Sequence, residues 1–371
     1  MIIGQARLGP VREGRLRFEP LYARRRSLYR QANTMTNAQS PVSAPSRPAI
    51  NIASYRKELG ILGLLVVVMF MTYVKNHDFM NPVNLHNLAQ LIGIYGIFSI
   101  GAGMVIITSG IDLSVGSVFA LEGVLLSMAL TEHDWPWAVA IAAVLGLTML
   151  LGFVHGLLIT RVPLQPFIVT LCGLLIYRGL ARFVANDATK GFGDGTGFNV
   201  LVNLATGNAG NVPAPFILMI AIAAIMWIVL HRSVYGRYIY AVGRNEEAAR
   251  YSGINSKAVI TSVYVVSGLL AGIAGILLAF YTNSISPSSH GNSYELYGIA
   301  AAVVGGCSLR GGEGSVIGIL IGTALLQVLQ NLVNMLSIPS SLNFAVIGAV
   351  ILVGVIADEI VKKRSARVKA A

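Results

Sequence analysis

The chain has 371 residues, of which 55% are apolar and 12% charged, and its mean hydropathy is +0.69. A soluble domain has about 25% charged residues, so this composition excludes one and indicates an integral membrane protein. The formal net charge of +11 does not indicate a nucleic-acid partner, because no compact basic patch with interleaved aromatic residues lies outside the N-terminal tail.

The N-terminal tail, residues 1–50, is polar and Arg-rich, with three arginines in a row at 24–26. It lacks the apolar core of a cleaved signal peptide. One interpretation is a disordered basic tail attracted to anionic lipids. The other, slightly favoured, is an artefact of the start site, since Met35 would open a shorter tail. The predicted organisation is this tail, a membrane domain at 51–360, and a basic cytoplasmic tail at 361–371.

Ten apolar segments predict membrane-spanning helices, each of which needs about 20 apolar residues. The segments are 60–75, 85–108, 114–131, 137–158, 166–186, 214–231, 259–282, 295–307, 314–335 and 341–357. Segment 295–307 is too short to cross unaided, and 114–131 starts directly after a break, so both are interpreted as parts of interrupted helices. The predicted fold class is an all-α polytopic membrane protein with about ten transmembrane helices and both termini cytoplasmic.

The basic residues fix the orientation of these segments. With the N-terminus inside, 23 of the 27 Lys and Arg residues lie in segments predicted to be cytoplasmic. The opposite loops carry acidic residues such as Glu132, Asp134 and Asp187. The positive net charge therefore reflects membrane topology and contact with anionic lipids.

A polar break at residues 110–118 lies where the second apolar segment ends and the third begins. Gly110 and Gly116 permit sharp turns, while Ser114 and Ser117 can bond to freed backbone groups. Asp112 is placed to cap a helix that begins near Leu113, and a polar group at the mouth of a permeation path is a compatible interpretation. A broken helix at membrane depth is tolerated only inside protein or beside water, so this segment indicates transport.

A related stretch lies at residues 305–318. Its Gly314-Ser315-Val316 matches Gly116-Ser117-Val118 at an offset of 198 residues. In the predicted topology each break follows a segment that runs inward and precedes one that runs outward. This suggests two duplicated halves, although few residues are shared.

The polar loop at 244–254 predicts a short helix with its own start and stop signals. Asn245 can cap the first free N–H groups, and Glu246 and Glu247 lie at the positive end of the helix dipole. Gly253 can end the helix in the left-handed conformation. An ordinary surface helix is the simpler interpretation, but its place on the basic side between two spans favours contact with a soluble partner.

Taken together, these motifs resemble the sugar-transporting branch of the bacterial ABC importer permeases, which includes the ribose, xylose, arabinose and galactose permeases. The resemblance covers residues 55–360 and is closest to a ribose-type permease. It is carried by the motifs at 110–118, 176–180, 235–243, 247–254 and 305–316.

The resemblance implies a multi-pass subunit of the bacterial inner membrane that translocates a monosaccharide by alternating access. It also implies an ABC ATPase subunit, a second permease copy or close homologue, and an extracytoplasmic sugar-binding protein. None of the seven lysines follows a glycine, so the chain has no Walker A motif and is not expected to be an enzyme. No cofactor or metal is expected on this chain, because ATP and Mg would lie on the ATPase.

The coupling loop implied by the resemblance would be pushed by the ATPase. Its candidate docking residues are Glu246, Glu247 and Arg250, with Ala248, Ala249 and Tyr251 as close-packing ones and Gly253 as the stop. Candidate path residues offer hydrogen bonds or stacking faces to a neutral sugar, although amide side chains often join membrane helices instead. These path residues are Asn87, Gln90, Tyr95, Phe98, Gln327, Gln330 and Asn331.

Two further expectations concern buried groups. Arg178 and Glu122 are buried charges on different spans that could pair, which would be a structural role. The two cysteines, Cys172 and Cys307, fall in apolar spans without metal-ligand spacing and are expected to be buried.

Rival functions stay open at this point. An ion-coupled secondary transporter would also use broken helices, but the buried acids are few and the coupling-type loop would go unexplained. A membrane-embedded enzyme lacks a supporting motif in this sequence. An ABC permease for another small polar solute, such as a nucleoside, differs only in cargo.

Overall fold

The computed structural model describes residues 56–193 and 197–337, together with residues 339, 342, 345, 348, 349 and 352. The predicted tails at 1–50 and 361–371 lie outside the described residues. So does most of the predicted tenth span at 341–357.

The described part of the chain is almost entirely helical. Its helices are α1 (Arg56–Lys75), α2 (Pro82–Ile107), α3 (Val115–Thr131), α4 (Trp137–Arg161), α5 (Pro166–Ala185), α6 (Asn199–Thr206), α7 (Ala214–His231), α8 (Val234–Arg244), α9 (Glu246–Tyr251), α10 (Ser256–Thr282), α11 (Tyr294–Val304) and α12 (Val316–Met335). A 3₁₀ turn at His77–Met80 precedes α2, and a hairpin of two short strands, β1 (Asn208–Ala209) and β2 (Val212–Pro213), follows α6.

Seven of these helices are long and apolar enough to cross a membrane, namely α1, α2, α4, α5, α7, α10 and α12. Two shorter apolar helices, α3 and α11, follow non-helical segments at 110–114 and 283–293. The all-α polytopic fold is thereby confirmed, and both predicted segments are short helices preceded by non-helical backbone. The count of ten crossings and the side of each terminus stay predictions.

The centre of the helical bundle is formed by α2 and α10, which are mostly buried. Helices α1, α4, α5 and α7 surround them and expose large apolar side chains, as a lipid-facing surface requires. Because lipid tails give no hydrophobic drive between helices, close packing through small residues has to hold such a bundle together.

Helices α4 and α10 show this close packing. Gly152 of α4 lies against the Tyr264 carbonyl oxygen, and Gly268 of α10 lies against the Thr148 carbonyl oxygen, so closely that a Cβ on either glycine would collide with backbone. The interface between α4 and α10 therefore accepts no larger residue at these positions.

Connecting segments separate into two groups at opposite ends of the bundle. At one end, Gly312 donates its N–H to the Ile107 carbonyl, beside α8. At the other end, Lys190 forms an ion pair with Glu132 and a two-way backbone pairing with Ile285. This grouping agrees with the predicted topology, in which 232–258 and 309–313 share one side; we call these ends the α8 end and the Lys190 end.

One expectation about burial is wrong. Cys307 is buried as expected, but Cys172 is exposed on the outer face of α5. An apolar span has a lipid-facing side as well as a protein-facing side, and the sequence alone did not show on which side Cys172 falls.

We expect Gly152→Val to lower the thermal stability of the detergent-solubilised protein, because the new side chain forces α4 and α10 apart. Overpacking of this kind costs about 1–3 kcal/mol. The matched control is Gly146→Val on the same helix, where a Cβ meets nothing within 4 Å. Equal unfolding midpoints for the two variants would contradict the packing argument.

Candidate coupling and translocation sites

The short helix predicted within residues 244–254 is α9, and both predicted end signals are present. Asn245 is the N-cap, and its Oδ1 accepts a hydrogen bond from the Ala248 N–H at 2.9 Å. Gly253 has φ of +84°, and the N–H groups of Gly253 and Ile254 bond back to Arg250 and Ala249. This pattern is a Schellman motif, which gives the helix a firm stop.

The residues of α9 divide into an outward and an inward set. Glu247, Arg250 and Tyr251 are exposed, and Tyr251 is 82% exposed despite its large apolar ring. Ala248 is also exposed, which leaves an open surface for a partner. Two other predicted contact residues serve the chain itself.

These residues are Ala249, which is buried, and Glu246, which is exposed but bonded within the chain. Ala249 is 5% exposed and packs in the core, so it is not available for the close-packing role on a partner that the sequence suggested. Glu246 accepts a hydrogen bond from the Ser256 hydroxyl, which fixes the start of α10 to α9. The exposed residues of α9 are therefore Glu246, Glu247, Ala248, Arg250 and Tyr251, of which Glu246 is also bonded to Ser256.

Helix α8 lies between α9 and the membrane helices. The motif at 235–243 falls within it, but it was not predicted to be a helix. Ser233 caps it, and its buried face carries Ile239, Val242 and Gly243. Gly243 lies directly on the Ile107 carbonyl, so a Cβ there would collide with backbone. The sequence signal that could have revealed this helix is the i, i+4, i+7 spacing of Tyr235, Ile239 and Val242.

The α8 helix contacts the segment before α3 and the segment before α12. The Ser109 hydroxyl lies 3.0 Å from the carbonyl oxygens of both Gly243 and Arg310. Tyr240 donates a hydrogen bond to the Gly314 carbonyl at 2.7 Å, and burial raises the pKa of its hydroxyl, so it stays a donor at neutral pH. A displacement of α8 therefore acts on the ends of α2 and α12 together.

The break before α3 is built around Asp112, which is 7% exposed. Its Oδ1 accepts hydrogen bonds from the N–H and hydroxyl of Ser114, at 2.9 and 2.6 Å. The helix begins at Val115 with Ser114 as N-cap, two residues later than predicted. Asp112 thus closes an Asx turn before the helix and does not itself cap it. Ser117 bonds back to the Ser114 carbonyl.

The proposed match between the two breaks is not preserved in their caps. At the offset of 198 residues, Ser117 aligns with Ser315, yet Ser315 is the N-cap of α12 whereas Ser114 caps α3. The two caps differ by three residues in register, so the shared Gly-Ser-Val string does not mark equivalent positions.

The suggested pairing of Arg178 with Glu122 is wrong. The Arg178 guanidinium instead donates hydrogen bonds to three backbone carbonyls, those of Pro287, His290 and Gly116, at 3.2, 2.7 and 3.2 Å. Two of these carbonyls, those of Pro287 and His290, lie in the non-helical segment before α11, and an arginine can satisfy them. The third, that of Gly116, lies in the first turn of α3, so Arg178 joins α5 to this segment and to the start of α3.

The Glu122 carboxyl lies buried between α3 and α10 and has no hydrogen-bond partner among the described residues. It packs directly on Gly275, where any side chain would collide with it. An unpaired charge would be costly in this apolar setting, so the physical argument favours the neutral acid.

The start of α3 meets the start of α11 inside the bundle. Gly116 lies on the Gly291 carbonyl so closely that neither residue has room for a Cβ. The Glu295 carboxylate accepts a backbone hydrogen bond from Gly116, at the positive end of the α3 dipole. The two half-helices thus begin at one point and run toward opposite ends of the bundle.

Most predicted path residues have partners within the chain. Gln90 is buried and donates to the Ala205 carbonyl at 2.9 Å, which holds α6 on α2. Asn331 exchanges amide hydrogen bonds with Asn84, at 2.7 and 3.3 Å. Gln327 is 2% exposed, and only Asn87 is exposed.

Tyr95 and Phe98 belong to an aromatic group that links α2, α3 and α11. Their rings pack with those of Phe119, Tyr294 and Tyr297, with centroid separations of 5.0–6.4 Å. Tyr297 also bonds to Gln330 on α12. The structure therefore brings three predicted path residues, Tyr95, Phe98 and Gln330, to one site beside the half-helices.

Comparison with known proteins identifies the family. A family model described as a branched-chain amino acid transport system permease component matches residues 84–355, which is most of the chain. The chain belongs to this family of permeases.

Its relatives include two ribose import permeases. That of Bacillus subtilis is 37% identical over 321 residues, covering 85% of this chain and 96% of the relative. That of Escherichia coli K12 is 36% identical over 302 residues, covering 81% and 93%. The fructose import permease of Rhizobium meliloti is 31% identical over 312 residues, covering 82% and 86%.

We expect Gly243→Ala in this permease to weaken coupling between its α9 surface and the membrane segments. The new methyl group must displace α8 from the Ile107 carbonyl. Transport should fall by about tenfold, the effect of about 1.4 kcal/mol, while assembly with the partner subunits is retained. The control is Gly179→Ala, where a Cβ meets nothing within 4 Å. Normal transport by Gly243→Ala would contradict the assigned role of this contact.

Proposed function

We propose that this protein is the membrane-spanning subunit of a monosaccharide importer, with ribose as the first candidate cargo. The observation that carries the proposal is the similarity to ribose import permeases over more than 80% of the chain. The fructose and allose permeases among the relatives extend the candidates to hexoses. All are neutral polyols, which suits a path without fixed charge.

The proposal includes the partner proteins that this chain needs for transport. These are an ABC ATPase on the α9 side, a second permease copy or close homologue, and an extracytoplasmic sugar-binding protein at the Lys190 end. ATP and Mg are assigned to the ATPase and no cofactor to this chain. The α9 side is cytoplasmic in this scheme, the membrane is the bacterial inner membrane, and ten crossings leave both termini in the cytoplasm.

The proposed mechanism begins with pressure of the ATPase on the outward surface of α9. Because α9 is fixed to α10 through Glu246 and Ser256, and α8 rests on Ile107 and Gly314, the movement reaches three helices at once. The α2 and α12 ends next to the breaks then shift. The path opens alternately to the two sides as the half-helices α3 and α11 change position.

The docking part of the proposal predicts that Glu247→Arg abolishes pairing with the ATPase but leaves membrane insertion intact. Glu247 is exposed on α9, so its reversal puts a like or unpaired charge into the interface without disturbing the fold. Co-purification of the ATPase with the tagged permease measures the effect.

The matched control for Glu247→Arg is Asp78→Arg, an exposed charge reversal before α2 at the opposite end of the bundle. It should leave ATPase pairing unchanged. Recovery of the ATPase with Glu247→Arg at the level of the unmodified protein would overturn the docking assignment.

The cargo is tested by uptake into proteoliposomes that contain the permease, its ATPase and its binding protein. Labelled ribose should accumulate only with ATP, and the permease alone should accumulate none. Fructose and allose serve as comparison cargoes. Accumulation of ribose without nucleotide would instead support an ion-coupled transporter.

A further inference from the structure

The segment between α10 and α11, residues 283–293, is rich in hydroxyl groups. Five of its eleven residues are serine, Asn283 and Asn292 add amides, and it has no Lys, Arg, Asp or Glu. We call it the serine-rich segment. Its hydroxyl and amide groups can form hydrogen bonds, and none of them carries a formal charge.

The serine-rich segment descends from the Lys190 end into the bundle. Its Ile285 pairs with Lys190 at that end, whereas its Pro287 and His290 carbonyls reach Arg178. Arg178 precedes the end of α5 by seven residues, which corresponds to a depth of about 10 Å at 1.5 Å per residue. Gly291 then meets Gly116, fifteen residues or about 22 Å before the end of α3.

The segment has a buried side and an exposed side. Ile285, Pro287, His290 and Gly291 are buried, and the His290 Nε2 has no hydrogen-bond partner among the described residues. The exposed side carries Ser284, Ser288, Ser289 and Asn292. The apolar and backbone groups thus anchor the segment, and its hydroxyl groups point away from the anchor.

Exposed non-helical backbone at this depth cannot face lipid, because no water there would satisfy its N–H and C=O groups. Such a segment is tolerated only inside protein or beside a water-filled cavity. Since Ser288 and Ser289 are exposed in the chain, the exposed side faces either an aqueous cavity or a second copy of the chain, and its hydroxyl groups favour the cavity.

We propose that the exposed side of the serine-rich segment contacts the sugar during its passage. This rests on the proposed monosaccharide transport. Serine hydroxyls and the Asn292 amide can both donate and accept, as a neutral polyol requires. Tyr294, half-buried at the end of the segment, adds a stacking face from the aromatic group.

Arg178 is the positioning residue of this site. Short serine side chains have little reach, so their positions depend on the backbone that carries them. The three hydrogen bonds of Arg178 hold that backbone at Pro287 and His290 and tie it to Gly116 at the start of α3. The hydroxyl surface therefore moves with α3.

The first test measures water access. In a background with Cys172→Ser and Cys307→Ser, the variant Ser288→Cys is treated with a charged, membrane-impermeant thiosulfonate reagent. It should react at least about tenfold faster than Leu175→Cys, whose side chain is exposed on α5 toward lipid, because only a water-accessible thiol ionises.

Three outcomes are distinguished. Fast modification of Ser288→Cys that is slowed by added ribose supports the proposal. Lack of modification overturns it. Spontaneous disulfide-linked dimers of Ser288→Cys, without protection by ribose, would show that this face is an interface between copies of the chain, which also overturns it.

The second test measures recognition. The double variant Ser288→Ala with Ser289→Ala should lower ATP-driven ribose uptake about tenfold, since about 1.4 kcal/mol of hydrogen bonding is lost, while ATPase pairing is retained. The control is Thr206→Val on α6, whose hydroxyl bonds only within its own helix.

Unchanged uptake by the double alanine variant overturns the proposal. If the unmodified protein itself takes up no ribose, the assignment of ribose as the cargo is wrong. The access test still reports on the cavity in that case, so the two failures are separable.

Discussion

Backbone hydrogen bonding inside the bilayer is the constraint on which this structure depends. Two helices are interrupted at membrane depth, and each interruption frees carbonyl groups that no water in lipid could satisfy. Arg178 satisfies two of them, those of Pro287 and His290, and also bonds to the Gly116 carbonyl at the start of α3. Its guanidinium group offers five donors in a planar fork and stays charged. The Asx turn at Asp112 and the Glu295 contact with Gly116 supply further hydrogen bonds to backbone N–H groups in this region.

The same interruptions connect the two ends of the bundle. The segment before α3 starts beside α8, where Ser109 bonds to Gly243, and the segment before α11 starts beside Lys190. Their half-helices meet at Gly116 and Gly291. In the proposed function, a signal from the ATPase side and a sugar from the opposite side would therefore arrive at neighbouring residues.

Hydropathy and capping rules predicted the local structure well, because both depend on short stretches of sequence. The long apolar helices and the Asn245 and Gly253 ends of α9 follow directly from such patterns. Long-range partners were not predictable in this way. Opposite charges suggested that Arg178 pairs with Glu122, but the actual acceptors are carbonyls in a distant non-helical segment, which side-chain chemistry does not reveal. Only the composition of residues 283–293 could have indicated that segment.

The contact between Gly243 and Ile107 has a mechanical consequence. It is made by main-chain atoms on both sides, so no rotatable side chain lies between them to absorb a small displacement. A contact of this kind resists compression, so α8 cannot move toward Ile107 without moving the end of α2 as well. In the proposed mechanism, glycine at this position keeps that contact free of a deformable side chain.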